Sequence, residues 1–471
     1  MTTTNGQVEL ADGASASVIL HHLLLNAVQS FPETLAAANI PASSDEFRKR
    51  YVDILPRFEL ARLNSDQRQA IAANLAEGFQ RSVCWRSEAD SIPLSQHLAQ
   101  DPASLALVSH RGDGSAGWQP NIIYRGQRWQ HTALDELADR LTEREIITPT
   151  AAAALRWSWQ NLMENGQVRL PERKIVVLGG AAEMASTRQF LAAGAEVLWI
   201  DRVAPPADLL AETECHGSLW WCRDNADLLT QPAEIAATIK TFAAGDAVDL
   251  CLYAYAPGQA REMKLTAAMN AIASALPPEL LASITMLVSP TTPTALGPHD
   301  LACMQARLSR RPIWQTSLDT LRLLGRRDSE LDGHVSRTVV SIQGASYQAA
   351  QYLGKVIMAE CWANHHPARI SANTAAITKT RSLSHPVFAA CFGGAESLGV
   401  ETFSPRLSRQ LMALLTLRDW LHPEAPVPGE VRVHGGIHVL PYPLETALMV
   451  AAGIGFARSP RLLKGLSLIH I

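Results

Sequence analysis

The sequence predicts an α/β fold built on a doubly wound parallel sheet, and three observations carry that expectation. A β-branched run, Lys174 to Leu178, leads into the glycine pair Gly179 and Gly180, the pattern of a buried strand and a tight turn. Helical periodicity follows from Met184 to Ala193, Gly194 stops it, and a second apolar run from Glu196 to Ile200 ends at Asp201. Strand-like and helix-like segments then alternate, as they do where helices cross over between parallel strands.

Strand, glycine turn, helix, strand and terminal acid open a Rossmann-type dinucleotide-binding unit. Glycine lets the backbone approach a pyrophosphate, a helix start supplies oriented N–H groups, and the acid can hold a ribose hydroxyl. Asp201 follows Gly179 by 22 positions, close to the spacing of about 20 that the unit requires. The glycine pattern is degraded, since Ala181 and Ala185 stand where glycines are usual. The expected dinucleotide contacts here are Gly179, Gly180, Ala181, Glu183, Met184, Asp201 and Arg202. Asp201 favours NAD, because a carboxylate accepts a 2′-hydroxyl and repels a 2′-phosphate. Arg202 keeps NADP as the alternative.

Composition narrows the function. The 471 residues, 47% of them hydrophobic, suffice for two or three domains. Lys and Arg total 41 against 45 Asp and Glu, a net charge of −4 with no basic tract, which argues against a nucleic-acid partner. The seven cysteines form no C-x-x-C pair, and Cys251, Cys361 and Cys391 lie in apolar surroundings that suit reduced thiols. Met1 to Gly13 is polar, and the longest late apolar run, Thr446 to Ala457, is too short to span a bilayer. The expectation is a cytoplasmic protein with no membrane partner, a small-molecule substrate, and a homo-oligomer as a further possibility.

Residues 1–165 read as a mainly helical N-terminal domain. Its segments include Ser17 to Ser30, Phe47 to Leu63, a helix capped at Ser65 and running to Gln80, Ala133 to Arg144, and Pro149 to Glu164. The RGDGSAG stretch, Arg111 to Gly117, reads as a polar loop. Residues 166–385 form the Rossmann-type domain, with an insertion over 299–341. Its later strands are Gly217 to Cys222, Val248 to Tyr255 and Ser283 to Val288, with Thr230 capping the helix after the first and another helix over Ala260 to Leu276. Residues 386–465 suggest a small α+β appendage with a hairpin made of Val431 to His434 and Ile437 to Leu440. Leu466 to Ile471 (LSLIHI) resembles translated adapter sequence, so 466–471 are expected to be a non-native tail.

From Lys174 to about Thr380 the chain resembles the short-chain dehydrogenase/reductase superfamily. Gly179 to Ala185 sits where that family has G-x-x-x-G-x-G, and Asp201 where it selects its nicotinamide cofactor. Asp227-Leu228 resembles the pair bordering the adenine, Tyr255 to Gly258 replaces N-A-G, and Ser289 matches the serine closing the fifth strand. Tyr347 leads a long helix, and Arg369-Ile-Ser-Ala-Asn373 resembles the strand after it. The resemblance implies an NAD(P)-dependent oxidoreductase acting on a small carbonyl or hydroxyl compound, in a divergent branch with extra terminal domains. Tyr255 and Ala256 would border the cofactor. Ser289 would orient the substrate oxygen, Tyr347 would be the acid/base, and Gln351 would hold the ribose.

Gln351 occupies the family's lysine position. That cation normally lowers the tyrosine pKa from about 10, and an amide cannot. Lys355 lies one turn further along, eight residues from Tyr347, and Tyr352 and Lys355 are three apart, the wrong spacing for the family's pair. The alternative is a non-catalytic NAD(P)-binding sensor or scaffold. A methyltransferase, which also uses strand, glycine turn and acid, fits Asp227 and Tyr347 less well. His365-His366 has no third ligand nearby, and His434 and His438 read as structural, so no metal is expected.

Overall fold

The computed structural model describes residues 6–112, 117–130, 133–211, 216–256, 260–325, 334–380, 385–427 and 432–466. The middle of the RGDGSAG stretch, Pro257 and Gly258, Val431, and 467–471 of the expected tail lie outside the described residues.

Seven strands form the main sheet: β1 (Leu107–Arg111), β2 (Lys174–Leu178), β3 (Glu196–Ile200), β4 (Ser218–Cys222), β5 (Val248–Leu252), β6 (Leu281–Val288) and β7 (Arg369–Thr374). Their order is β7-β6-β5-β2-β3-β4-β1. β2 to β7 pair in parallel, whereas β1 closes the β4 edge antiparallel, Ser218 opposite Arg111. β3 and β4 therefore lie to one side of β2, and β5, β6 and β7 to the other. Leu107–Arg111, within the region expected to be mainly helical, contributes the edge strand.

The helices named below are α1 (Ala16–Ser30), α2 (Ser44–Leu63), α3 (Arg68–Arg81), α4 (Pro149–Leu162), α5 (Thr187–Ala192), α6 (Pro232–Ala243), α7 (Arg261–Ala275), α8 (Ala345–Val356), α9 (Pro386–Ala395), α10 (Pro405–Leu421) and α11 (Leu444–Arg458). Both sheet faces are covered. Val176, Leu178, Leu198 and Ile200 pack into a core with residues of α1, α2, α3, α6, α7 and α8. Ile175, Val177, Val197 and Trp199 point the other way, into a core with residues of α4, α5 and α10. Strands buried on both faces carry continuous apolar runs, which is why they were legible.

Several local expectations change. The helix expected from Met184 begins at Thr187, Thr230 does not cap α6, whose N-cap is Gln231, and Ser65 lies in a turn before α3. The strand expected to reach Tyr255 ends at Leu252. Among the described residues 386–466 contain helices and isolated bridges but no strand, and residues 434–440 turn without forming the expected hairpin. α10 covers the sheet; α9 and α11 pack together, with the backbones so close that a Cβ on Gly394 would lie 1.9 Å from the Ala451 carbonyl oxygen.

A buried ion cluster fastens α2 to α8. Glu59 accepts from Arg62 Nε (2.9 Å) and Nη2 (3.0 Å), from the Tyr352 hydroxyl (2.8 Å) and from Lys355 Nζ (2.7 Å). Arg62 also donates to Glu360 (2.9 Å), which sits where the helix widens to π geometry over Ile357–Trp362. Burial would raise the Glu59 pKa, but Arg62 and Lys355 outweigh it and hold the carboxyl far below its ordinary value. Glu59→Gln should therefore destabilise the fold by about 3–5 kcal/mol, because it strands buried cations. Urea unfolding checks this; an unchanged midpoint would mean that the cluster carries no net stability.

Candidate functional site

The glycine turn closes tightly on the sheet. Gly179 has φ +93°, and a Cβ there would lie 2.4 Å from Ala254 backbone; one on Gly180 would meet the Trp199 ring at 2.3 Å. The structure's own packing thus requires both glycines. The N–H groups of Gly179 and Gly180 bond the Ile200 carbonyl, Ala181 N–H donates to Asp201 Oδ2 (2.9 Å), and Ala182 N–H bonds the Gly179 carbonyl. Arg409 Nη1 donates to the Glu183 carbonyl (3.0 Å), so a tertiary contact holds residues that would otherwise start the helix. Next to the turn, Arg202 pairs with Asp227 at 3.1 Å, and Leu228 is buried.

Beyond the turn lies a cavity of about 570 Å³ at the C-terminal ends of β5, β6 and β7. Glu183 and Met184 line it, and Tyr255, Ser289, Tyr347 and Gln351 make up its polar end. Side chains of α9 and α11, among them Phe388, Phe392 and Leu448, form an apolar wall. Six residues singled out from sequence therefore share one cavity. Gly179, Gly180, Ala181, Asp201, Arg202, Asp227, Leu228 and Ala256 do not line it.

Side chains from distant segments hold the Ser289 loop. Ser289 N–H donates to Gln351 Oε1 (3.2 Å), and the Ser289 and Thr291 hydroxyls are 2.9 Å apart. Thr291 donates to Gln343 (2.7 Å), and Lys355 Nζ donates to the Pro293 carbonyl. His438 Nε2 lies 3.2 Å from the Pro290 carbonyl, and its ring stacks on His434 at 5.0 Å. Burial keeps both imidazoles neutral, His438 down at about 3. These histidines brace the loop, and no group of metal-ligating residues occurs among the described residues.

Burial pushes the Tyr347 phenol above its ordinary value, Ser289 beside it pulls it back, and Glu262 and Tyr255 push it up further. Tyr347 and Tyr255 meet edge to face at 6.2 Å. Gln351 has both amide ends engaged: its Nε2 donates to Glu262 Oε1 (2.8 Å). The other Glu262 oxygen accepts from Ala256 N–H (2.7 Å). Glu262 is 3% exposed, and burial raises its pKa to about 7 although both hydrogen bonds oppose this. Sequence reasoning missed Glu262. Its one signal was an acid in the first turn of the helix after the fourth crossover strand, which is also an ordinary place for a glutamate.

On the turn side, the Gly179 and Gly180 N–H groups are taken by the Ile200 carbonyl, and the Asp201 carboxylate lies alongside, holding Ala181 N–H. At the other end Gln351 carries no charge, and Lys355 is committed to Glu59 and Pro293.

No family model matches the chain, and no curated protein matches it. Solved structures similar to it include a short-chain type dehydrogenase/reductase from Mycobacterium marinum (12% identity, 57% of this chain and 96% of that one, TM-score 0.39). Others are an NADH-dependent reductase, A1-R′, responsible for alginate metabolism (16%, 57% and 97%, 0.37), and a short-chain dehydrogenase/reductase from Brucella melitensis (14%, 57% and 98%, 0.34). At these values the similarity carries nothing about activity, and the strand order stands on this chain's own pairing.

The raised Glu262 pKa has a stability consequence. The folded state holds the proton more tightly than the unfolded chain, whose value is about 4.3. Its contribution is therefore fully present below about pH 4.3 and is lost as pH rises through about 7. Glu262→Gln should flatten the fall in unfolding free energy over that interval. Identical pH slopes for the two proteins would contradict the assignment.

Proposed function

We propose that the protein is a nicotinamide-dependent oxidoreductase acting on a small carbonyl or hydroxyl compound held in the cavity, with NAD(H) preferred over NADP(H). The observation that carries this reading is that Ser289 and Tyr347 lie side by side in one cavity that Glu183 and Met184, just past the glycine turn, also line. Asp201 would hold a ribose hydroxyl, and Glu183 and Met184 would border the crossing from turn to cavity. The bound nicotinamide would supply or accept the hydride. Ser289 would orient the substrate oxygen by a hydrogen bond, and Tyr347 would donate a proton to it. Gln351 fixes Ser289 through its backbone and holds no charge to offer.

The chemistry is one-sided. With its pKa pushed up, Tyr347 keeps its proton through the neutral range. It suits donation to a carbonyl oxygen better than removal of a hydroxyl proton. A second reading, a non-catalytic NAD(P)-binding sensor, is favoured by the engaged amide of Gln351 and by the absence of any cation at the lysine position.

Fluorescence titration with NADH and NADPH, followed by a panel of carbonyl compounds, separates the two. NADH should bind more tightly, turnover should be slow, and Tyr347→Phe should lower it by about 10²–10⁴-fold. Dinucleotide binding without turnover would support the sensor. Failure to bind either dinucleotide would overturn both.

A further inference from the structure

We infer that the cavity selects a ligand that carries an ammonium group as well as an oxygen function: an amino alcohol or amino ketone with an apolar body. The inference rests on the cavity being the ligand site of the proposed function, and it does not depend on turnover.

The first observation is charge. Among the described residues, Glu183 and Glu262 are the charged side chains lining the cavity; no lysine, arginine or histidine does. Glu262 forms no ion pair among the described residues, and its hydrogen bonds come from two neutral donors, Gln351 Nε2 and Ala256 N–H. An ionised carboxylate has about four lone-pair sites, so two remain for a ligand. A buried carboxylate without a cation is costly, and a ligand ammonium would relieve that cost. The second observation is what surrounds it. Tyr347 and Tyr255 stand edge to face beside Glu262, and Met269 and Met286 line the wall, an aromatic and polarisable setting that suits a cation. The third is distance along the chain of bonds. A single amide, Gln351, links the Glu262 carboxylate to the Ser289 backbone N–H, and Glu262, Ser289 and Tyr347 line the same cavity, so one short ligand can reach the carboxylate and these hydroxyls.

The titratable groups facing Glu262 are Tyr255 and Tyr347, both with phenols raised by burial first and by Glu262 itself second or later. Neither ionises in the neutral range, so the cavity's charge there follows Glu262. Amine affinity should rise as pH passes upward through its titration.

Calorimetric titration of the full chain with 2-amino-1-phenylethanol, 1-phenylethanol and mandelate tests the inference, since the three share a body and a hydroxyl. At about pH 8 the amino alcohol should bind roughly tenfold or more tighter than 1-phenylethanol, with mandelate weakest. Toward acid pH the wild-type preference should shrink. Glu262→Gln should abolish it, with cooperative unfolding as the check on folding; if that variant fails to fold, the wild-type pH series decides alone. Equal binding of amine and alcohol, a preference that survives in Glu262→Gln or stays constant with pH, or no binding of any of the three overturns the inference. NADH binding and carbonyl turnover without amine preference would leave the proposed function standing and remove this one.

Discussion

The buried carboxylate of Glu59 is the constraint on which the rest of the architecture depends. It lies near the C-terminal end of α2 with no exposure, and a charge in that position is tolerable only if cations reach it with good geometry. Arg62 supplies one from the same helix face, three residues on. The second, Lys355, comes from α8, nearly three hundred residues further along the chain. Tyr352 adds its hydroxyl from the same α8 face, and Glu360 balances the remaining charge on Arg62. The N-terminal helices are in this way fixed on the helices that flank the sheet.

That commitment shapes the site. Lys355 is the cation nearest in sequence to Gln351, and it is taken up by Glu59 and the Pro293 carbonyl. Burial lowers its pKa, and Glu59 offsets this. The Ser289 loop gains a rigid anchor, and the cavity loses a possible positive charge. Gln351 then bridges Ser289 to Glu262, so the polar end of the cavity has one buried carboxylate and two phenols that keep their protons. An acid–base site that a cation would tune toward tyrosinate is tuned here toward neutral tyrosine and an ionisable carboxyl.

The main sheet was legible because its central strands β2 and β3 are apolar on both faces, and Ile175, Val177 and Val197 leave no alternative to burial. The glycine pair was legible as a turn, but not its cause: Trp199 and Ala254 crowd it, contacts that only the folded sheet creates. The late start of α5 reflects the Arg409 contact to Glu183, again between residues remote in sequence. α10 looked like part of an appendage because its buried residues run almost unbroken from Leu411 to Leu417, and nothing local says which core they enter. Ser289, Tyr347 and Gln351 could be picked out by resemblance and do meet in one cavity. Glu262 could not, since its meaning arises from a hydrogen bond to a residue on another helix.

The central claim is that the cavity holds a buried carboxylate with no cation beside it among the described residues. Infrared difference spectra between wild type and Glu262→Gln, taken across a pH series, read that group directly. The account predicts a protonated-carboxyl band present in the wild type at mildly acid pH and lost with a midpoint near 7. A group already ionised at about pH 5, close to the ordinary glutamate value, would contradict it.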